Sequence, residues 1–244
     1  MNWESVRTLR KAGRLQEALD TAREILTNSP GDLKTKSEYE WVIFDCIKII
    51  VANMVSEMEK SRPMNARDMD DLMGWMDEYH SLGPSIPGMA CSNILGQLVK
   101  VGAHLPKFPG IIRWVGVEGL RNEDWQLRQY QGKTSSSLAM STARTLCKWV
   151  KAHSNASKKQ IALALEWAER VGKAVNGEDS LWLHWDMAIL LRQMGDFHRA
   201  AELLARVCGQ LNPLSGQGAV HTGRFLFTSC LLGHDRHGTD VVAR

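Results

Sequence analysis

Apolar side chains recur every three or four positions along most of the chain, and this spacing predicts α-helices rather than strands. Near the N-terminus, residues 2–12 and residues 15–27 each place their apolar side chains on one stripe, and Gly13 follows the first of these runs. Turn-forming residues at 28–32 end the second run. The pattern therefore predicts a hairpin of two amphipathic helices at this end of the chain.

A second hairpin is predicted near the other end of the chain. Residues 181–194 and residues 198–211 show the same helical spacing, and Gly195, Asp196 and Phe197 stand at the turn between them. A single pair of helices cannot bury its apolar face alone. Both hairpins are therefore expected to pack against neighbouring helices.

Further helices are predicted between the two hairpins. They cover residues 34–60, 65–80, 89–103, 138–152 and 158–175. The first of these is the longest and is apolar on several sides, which indicates a central position. Asn65 is expected to cap the next one. Residues 105–136 contain Gly and Pro and are predicted to be irregular, while a last helix is expected at 219–232 and a disordered tail at 233–244.

Both hairpins resemble tetratricopeptide repeats, in which the first helix carries a small residue, a glycine stands at the turn, and an aromatic residue or leucine, an alanine and a closing proline follow. In the first hairpin, the resemblance rests on Gly13, Leu15, Ala18, Ala22, Ile25 and Pro30. In the second, it rests on Ala188, Gly195, Asp196, Phe197, Ala200, Leu204, Val207 and Pro213. The resemblance implies an all-α fold: a right-handed solenoid of tetratricopeptide-like helical hairpins with an irregular insert.

This interpretation divides the chain into four segments. They are an N-terminal hairpin with the helices that follow it (1–104), an irregular basic insert (105–136), C-terminal helical hairpins (137–232) and a disordered tail (233–244). Within and beside the insert, residues 106–108, 114–116, 120–125 and 137–139 are similar to a group of bacterial tetratricopeptide proteins. Some of those proteins accompany conflict or phage-defence systems and carry a C-terminal nucleic-acid-binding barrel of cold-shock type. No such barrel is recognisable here, which suggests that the chain is a fragment.

Composition agrees with a folded protein. The chain has 244 residues, of which 44% are hydrophobic and 23% are charged, and this excludes disordered and collagen-like chains. Its five cysteines are far apart, which argues against a disulfide framework and against a thiolate zinc site. The most apolar run, residues 41–55, contains Asp45 and Lys48 and is too short to span a bilayer. We therefore expect a cytoplasmic protein without a membrane segment.

Charge is unevenly distributed, although the net charge is only +3. Residues 41–90 carry a net −4 and residues 91–160 a net +8. Arginine among aromatic side chains can hold phosphates and stack on bases. The candidate nucleic-acid-binding residues are Lys107, Arg113, Trp114, Arg121, Trp125, Arg128 and Lys133. We favour the alternative, in which this segment is a solvated face that pairs with the acidic residues at 57–78.

The tetratricopeptide resemblance also implies a peptide-binding face on the first helix of each hairpin. In the first hairpin, the corresponding residues are Trp3, Arg7, Arg10 and Lys11, whose cations would clamp an acidic or C-terminal carboxylate. In the second hairpin, they are Trp182, Trp185, Asp186, Ile189 and Arg192, with the tryptophans as anchors. The alternatives are a solvated terminal helix for the first set and packing of the tryptophans against residues 158–175 for the second.

Nothing in the sequence indicates catalysis. We find no nucleophile with a base at suitable spacing, no paired carboxylates and no phosphate-binding glycine loop, so we expect no enzyme, no cofactor and no metal site. The expected function is a non-catalytic adaptor or scaffold that binds a protein or peptide on the concave face of its helices. The alternative is a nucleic-acid-associated factor of a bacterial conflict or phage-defence system that uses residues 107–133. A hydrolase is the weakest hypothesis.

Overall fold

A computed structural model describes residues 2–83, 89–115, 120–126, 128–130, 133–135, 137–174 and 178–210. The chain forms two compact units, Met1–Leu138 and Ala139–Arg244. Among the described residues there are ten α-helices, so the expected helical character is confirmed. The same residues contain one small antiparallel ribbon, in which Gln129 lies opposite Thr134.

The first unit contains α1 to α6 and the ribbon. The α-helices are α1 (Trp3–Lys11), α2 (Leu15–Asn28), α3 (Leu33–Glu59), α4 (Ala66–Ser81), α5 (Met89–Val101) and α6 (Phe108–Val115). Short 3-10 turns cover Gly102–His104 and Asn122–Trp125, and the strands are β1 (Arg128–Tyr130) and β2 (Lys133–Ser135). The second unit is built from α7 (Leu138–Ala152, from Ala139 onward), α8 (Lys158–Ala174), α9 (Glu178–Gln193) and α10 (Phe197–Gln210).

The long helix α3 is central in the first unit, as predicted, because α1, α2, α4 and α5 all pack against it. Its side chains Ile43, Ile47 and Met54 are fully buried among these neighbours. The helix begins where the Asp32 carboxylate accepts hydrogen bonds from the backbone N–H groups of Lys34 and Thr35, at 3.1 and 3.3 Å. An apolar surface on several sides is therefore matched by neighbours on several sides.

The cap predicted at Asn65 is confirmed, because its Oδ1 accepts a 3.0 Å hydrogen bond from the Arg67 backbone N–H. The prediction that residues 105–136 are irregular is wrong over α6 and the ribbon. Helix α6 buries Phe108 and Ile112 completely, but at eight residues it is shorter than the window over which a helical period becomes visible. The helix expected at 219–232 and the tail at 233–244 lie outside the described residues.

The hairpins α1–α2 and α9–α10 have the same turn. Gly13 and Gly195 have φ angles of +74° and +83°, a left-handed conformation that glycine adopts without a steric penalty. The Gly13 N–H donates to the carbonyl of Arg10 at 3.0 Å, and the Gly195 N–H donates to that of Arg192 at 2.9 Å. The next N–H group also bonds back to the preceding turn in both cases, which completes a Schellman-type helix end.

The helices after these turns are also alike. Both α2 and α10 have 14 residues, and both bury a small residue, Ala18 or Ala200, completely. In the second unit, α9 packs against both α8 and α10. No helix in the described part of the chain is both long enough and apolar enough to cross a membrane.

Candidate functional site

The arginines predicted to clamp a ligand on α1 are held by carboxylates of α3. The Arg7 Nε lies 2.7 Å from Glu38 Oε1, and the Arg10 Nη1 lies 3.0 Å from Asp45 Oδ2. The Arg7 guanidinium also stands 4.7 Å from the centre of the Trp3 ring. Lys11 is exposed and has no ion pair with any residue that the structure describes.

Glu38 is the centre of this cluster. Its side chain is only 6% exposed, and its second oxygen lies 3.6 Å from Arg10 Nε. A buried carboxylate needs such partners, because removing its positive neighbours would leave an uncompensated charge in a poorly solvated place. Arg7 and Arg10 therefore tie α1 to α3, and an external acidic group would have to compete with Glu38 for them.

The predicted residues on α9 are more accessible. Trp182, Trp185, Ile189 and Arg192 follow one side of the helix at steps of three and four residues, and all four are half-buried. We call these four side chains the α9 row. Asp186, in contrast, is buried and accepts a charge-assisted hydrogen bond from Lys151 of α7, so its carboxylate is already engaged.

A basic row on α7 is joined to α9 at one end, and the sequence interpretation does not assign it to peptide binding. Ser141, Arg144, Lys148 and Lys151 repeat the spacing of the α9 row, and we call them the α7 row. The Lys151–Asp186 pair brings its last turn to the middle of α9. The signal in the sequence was three cations at helical spacing, but the pair that joins the helices is 35 residues apart.

The candidate nucleic-acid residues are separated by the structure into different environments. Arg121 donates to the buried carboxylate of Asp124 through its backbone N–H at 3.0 Å, and its Nη1 lies 2.6 Å from Glu123 Oε1. Ser92 of α5 donates a 2.7 Å hydrogen bond to the same Asp124. Arg121 is thus part of the internal polar network that attaches the 3-10 turn to α5.

The other members of that set are less constrained. Lys107 and Arg113 are exposed, with no ion pair in the described part of the chain, and Trp125 is half-buried. The side chains of Trp114, Arg128 and Lys133 lie outside the described residues. Of the predicted nucleic-acid-binding cations, Lys107 just before α6 and Arg113 within α6 are therefore accessible.

A tyrosine and two cysteines are the side chains to consider as possible nucleophiles. Between α2, α3 and α4, the Arg23 Nη2 lies 2.7 Å from Glu78 Oε1, and Tyr39 donates its hydroxyl proton to Glu78. Burial, then the Glu78 carboxylate, raises the pKa of Tyr39. Burial likewise raises the pKa of the Cys46 and Cys91 thiols to about 11. Neither the tyrosine nor these thiols is ionised at neutral pH, so none of them is an activated nucleophile.

Comparisons of the chain with protein-family models, with curated proteins and with solved structures found no match. Among the described residues, no group of three His, Cys, Asp or Glu side chains is arranged to hold a metal ion. The α7 row and the α9 row, joined by the Lys151–Asp186 pair, form the candidate site.

Proposed function

We propose that this protein is a non-catalytic adaptor that binds an acidic segment of a partner protein on the α7 and α9 rows. The observation that carries the proposal is the Lys151–Asp186 pair, because it brings the last residue of a basic row against the helix that carries the half-buried tryptophans. Tryptophan and arginine are the side chains that most often anchor protein interfaces. The neighbouring lysines would attract acidic residues and orient the segment.

The repeated hairpin supports a tetratricopeptide-like arrangement for this adaptor. Two hairpins far apart in sequence share a left-handed turn glycine, the same backbone hydrogen bonds and a second helix of equal length. In a solenoid of such hairpins, the first helices line the binding side. The α9 row belongs to the first helix of its hairpin, which agrees with this assignment.

The charge expected of the partner segment follows from the charges on this surface. Lys148 is exposed and Arg144 is half-buried, and neither has an ion pair with a described residue. Asp186 is neutralised by Lys151, so the surface as a whole is positive around an apolar strip. An acidic segment with one or two apolar side chains would satisfy both features.

The test is capture of partners from native lysate, with and without nuclease, followed by affinity measurements with the identified segment. We expect a protein partner that survives nuclease treatment. Trp182→Ala should weaken its binding by about 2 kcal/mol or more, the usual cost at an interface anchor. Met194→Ala is the matched control, because it removes a side chain that is 37% exposed and lies outside both rows.

Charge reversal tests the basic row separately. Lys148→Glu should slow association with the partner, whereas Lys158→Glu, at an exposed lysine at the start of α8, should leave it nearly unchanged. Equal binding by wild type, Trp182→Ala and Lys148→Glu would contradict the proposal. Nucleic acid recovered together with the protein, and lost on Arg113→Glu, would instead support the alternative that uses Lys107 and Arg113.

A further inference from the structure

A polar cleft lies between α8, α9 and α10 in the second unit. Its volume is about 270 Å³, and Met187 contributes apolar surface to it. Its polar lining consists of Glu169, Lys173, His184, Arg199, Glu202 and Arg206. We call it the His184 cleft. His184 and Met187 lie on a different side of α9 from the α9 row, because successive residues of an α-helix are about 100° apart.

Glu169 of the cleft is paired with a cation, whereas two of the cleft's own cations have no ion pair with a described side chain. The Arg199 Nη2 lies 2.6 Å from Glu169 Oε1, and Glu202 Oε1 lies 3.6 Å from Nδ1 of His198. Lys173 and Arg206 have no ion pair with any residue that the structure describes. With three cations and two carboxylates, the described lining of the cleft carries a net charge of +1 when its histidine is neutral.

The repeated hairpin shows that its fold does not require a cation at the position of Arg206. The position of Arg206 on α10 corresponds to Glu24 on α2, since both lie eleven residues after the turn glycine of their hairpin. The ion pair at the start of the helix is likewise reversed: Arg14 pairs with Glu17 on α2, whereas Asp196 pairs with Arg199 on α10. The same backbone thus carries opposite charges at these positions, so Arg206 is a feature of the second hairpin and not a requirement of its fold.

We propose that the His184 cleft binds a small phosphate monoester, with Lys173 and Arg206 matching its charge and His184 donating a hydrogen bond. A phosphate group carries about −1.5 to −2 charges at pH 7, and its several oxygens can contact both Lys173 and Arg206, the two cations without an ion pair in the described part of the cleft. Arginine also presents a planar pair of donors that fits phosphate oxygens. The volume admits a small metabolite rather than a long chain.

His184 provides a direct readout of occupancy. Burial, and secondly the positive charge of Arg206, lowers the pKa of its imidazole. The other charged groups that line the cleft around it are Glu169 and Lys173 on α8 and Arg199 and Glu202 on α10. A bound phosphate would offset Arg206 and add negative charge, so the pKa of His184 should rise on binding.

The experiment is a titration of the full chain, followed by NMR of the His184 ring and by calorimetry. The probes are inorganic phosphate and glycerol 3-phosphate, with sodium chloride at equal ionic strength as the reference. We expect saturable binding of the ester, tighter than that of inorganic phosphate, and an upward shift of the His184 pKa. Arg206→Glu should weaken binding about tenfold or more, and it places at this position the residue type that the first hairpin already holds.

Two controls make the result decisive. The double variant Lys158→Gln with Lys159→Gln removes two exposed charges of α8 outside the cleft lining and should bind as the wild type does. Trp182→Ala should also bind normally, so failure here is separable from failure of the adaptor proposal. The proposal is overturned if His184 does not respond, if the Lys158 and Lys159 variant loses as much affinity as Arg206→Glu, or if chloride has the same effect.

Discussion

Glu38→Gln is the substitution that best separates a structural role of the α1 arginines from a ligand-binding role. The carboxylate accepts a 2.7 Å hydrogen bond from Arg7 and stands 3.6 Å from Arg10 Nε, and its side chain is 6% exposed. Glutamine has nearly the same shape but no charge. It would keep one acceptor for Arg7 and turn the second position into a donor that faces Arg10.

The expected cost follows from the burial of the three side chains. A charge-assisted hydrogen bond contributes about 1.5–3 kcal/mol when it is shielded from water. Arg7 is 47% exposed, so solvent screens its share, whereas Arg10 is 19% exposed and loses part of its compensation. We therefore expect the free energy of unfolding of the first unit to fall by about 2 kcal/mol.

The assay is urea unfolding followed by tryptophan fluorescence, with the slope against denaturant checked for constancy. The control is Glu57→Gln on the same helix, where a carboxylate that is 30% exposed pairs with the exposed Lys60 and Arg62. It should change stability by less than about 0.5 kcal/mol. The structural role would be refuted if Glu38→Gln lowered the free energy of unfolding by less than about 0.5 kcal/mol and also bound a carboxylate peptide more tightly. That result would support the prediction that Arg7 and Arg10 bind an external carboxylate.

Three other outcomes are expected. Gly195→Ala should lower the free energy of unfolding by about 1–2 kcal/mol, because the backbone at Gly195 is left-handed. Gly74→Ala, on an exposed turn of α4, should instead raise the free energy of unfolding by up to about 1 kcal/mol, and thermal unfolding measures both changes. Asp124→Asn should lower the free energy of unfolding by about 2–3 kcal/mol, since the carboxylate is completely buried and accepts a hydrogen bond from Ser92. Equal urea midpoints for wild type and variant would contradict this prediction. Because burial lowers the pKa of His184 below its ordinary 6.5, the folded protein resists protonation there, so this contribution to stability is complete above that pH and declines as the pH falls below it. The difference between the unfolding midpoints at about pH 7.5 and about pH 5.5 should therefore be smaller in His184→Gln than in the wild type. An equal difference in the two proteins would refute this contribution of His184.

Much of the helical fold could be predicted because its signals are local. The helices at Leu15–Asn28 and Lys158–Ala174 begin and end within a residue of the predicted bounds. Helix α10 likewise begins at Phe197, one residue before its predicted start. Helix α6 was missed because eight residues hold only two turns, which is too few for a period to stand out beside Gly and Pro. The ribbon was missed for a related reason, since each strand has three residues and depends on its partner.

The candidate site was only partly legible in the sequence. The spacing of Trp182, Trp185 and Ile189 predicted one face of a helix, and the structure leaves that face half-buried. The same reasoning grouped Arg7 and Arg10 with them as ligand clamps, although both are bonded to α3. Helical spacing on two helices therefore led to different surfaces, because the neighbouring helices differ.

The order of helices, their bounds and the glycine turns are determined by interactions between residues a few positions apart, which a linear pattern displays directly. Which charges remain accessible depends on pairs far apart in the chain. Arg7 and Glu38 are 31 residues apart, and Lys151 and Asp186 are 35 apart. Such pairs form only when helices pack, and packing decides whether an arginine faces a buried carboxylate or solvent. Lys173 and Arg206 were unremarkable in the sequence for the same reason: three helices had to meet before their charges lined one cleft.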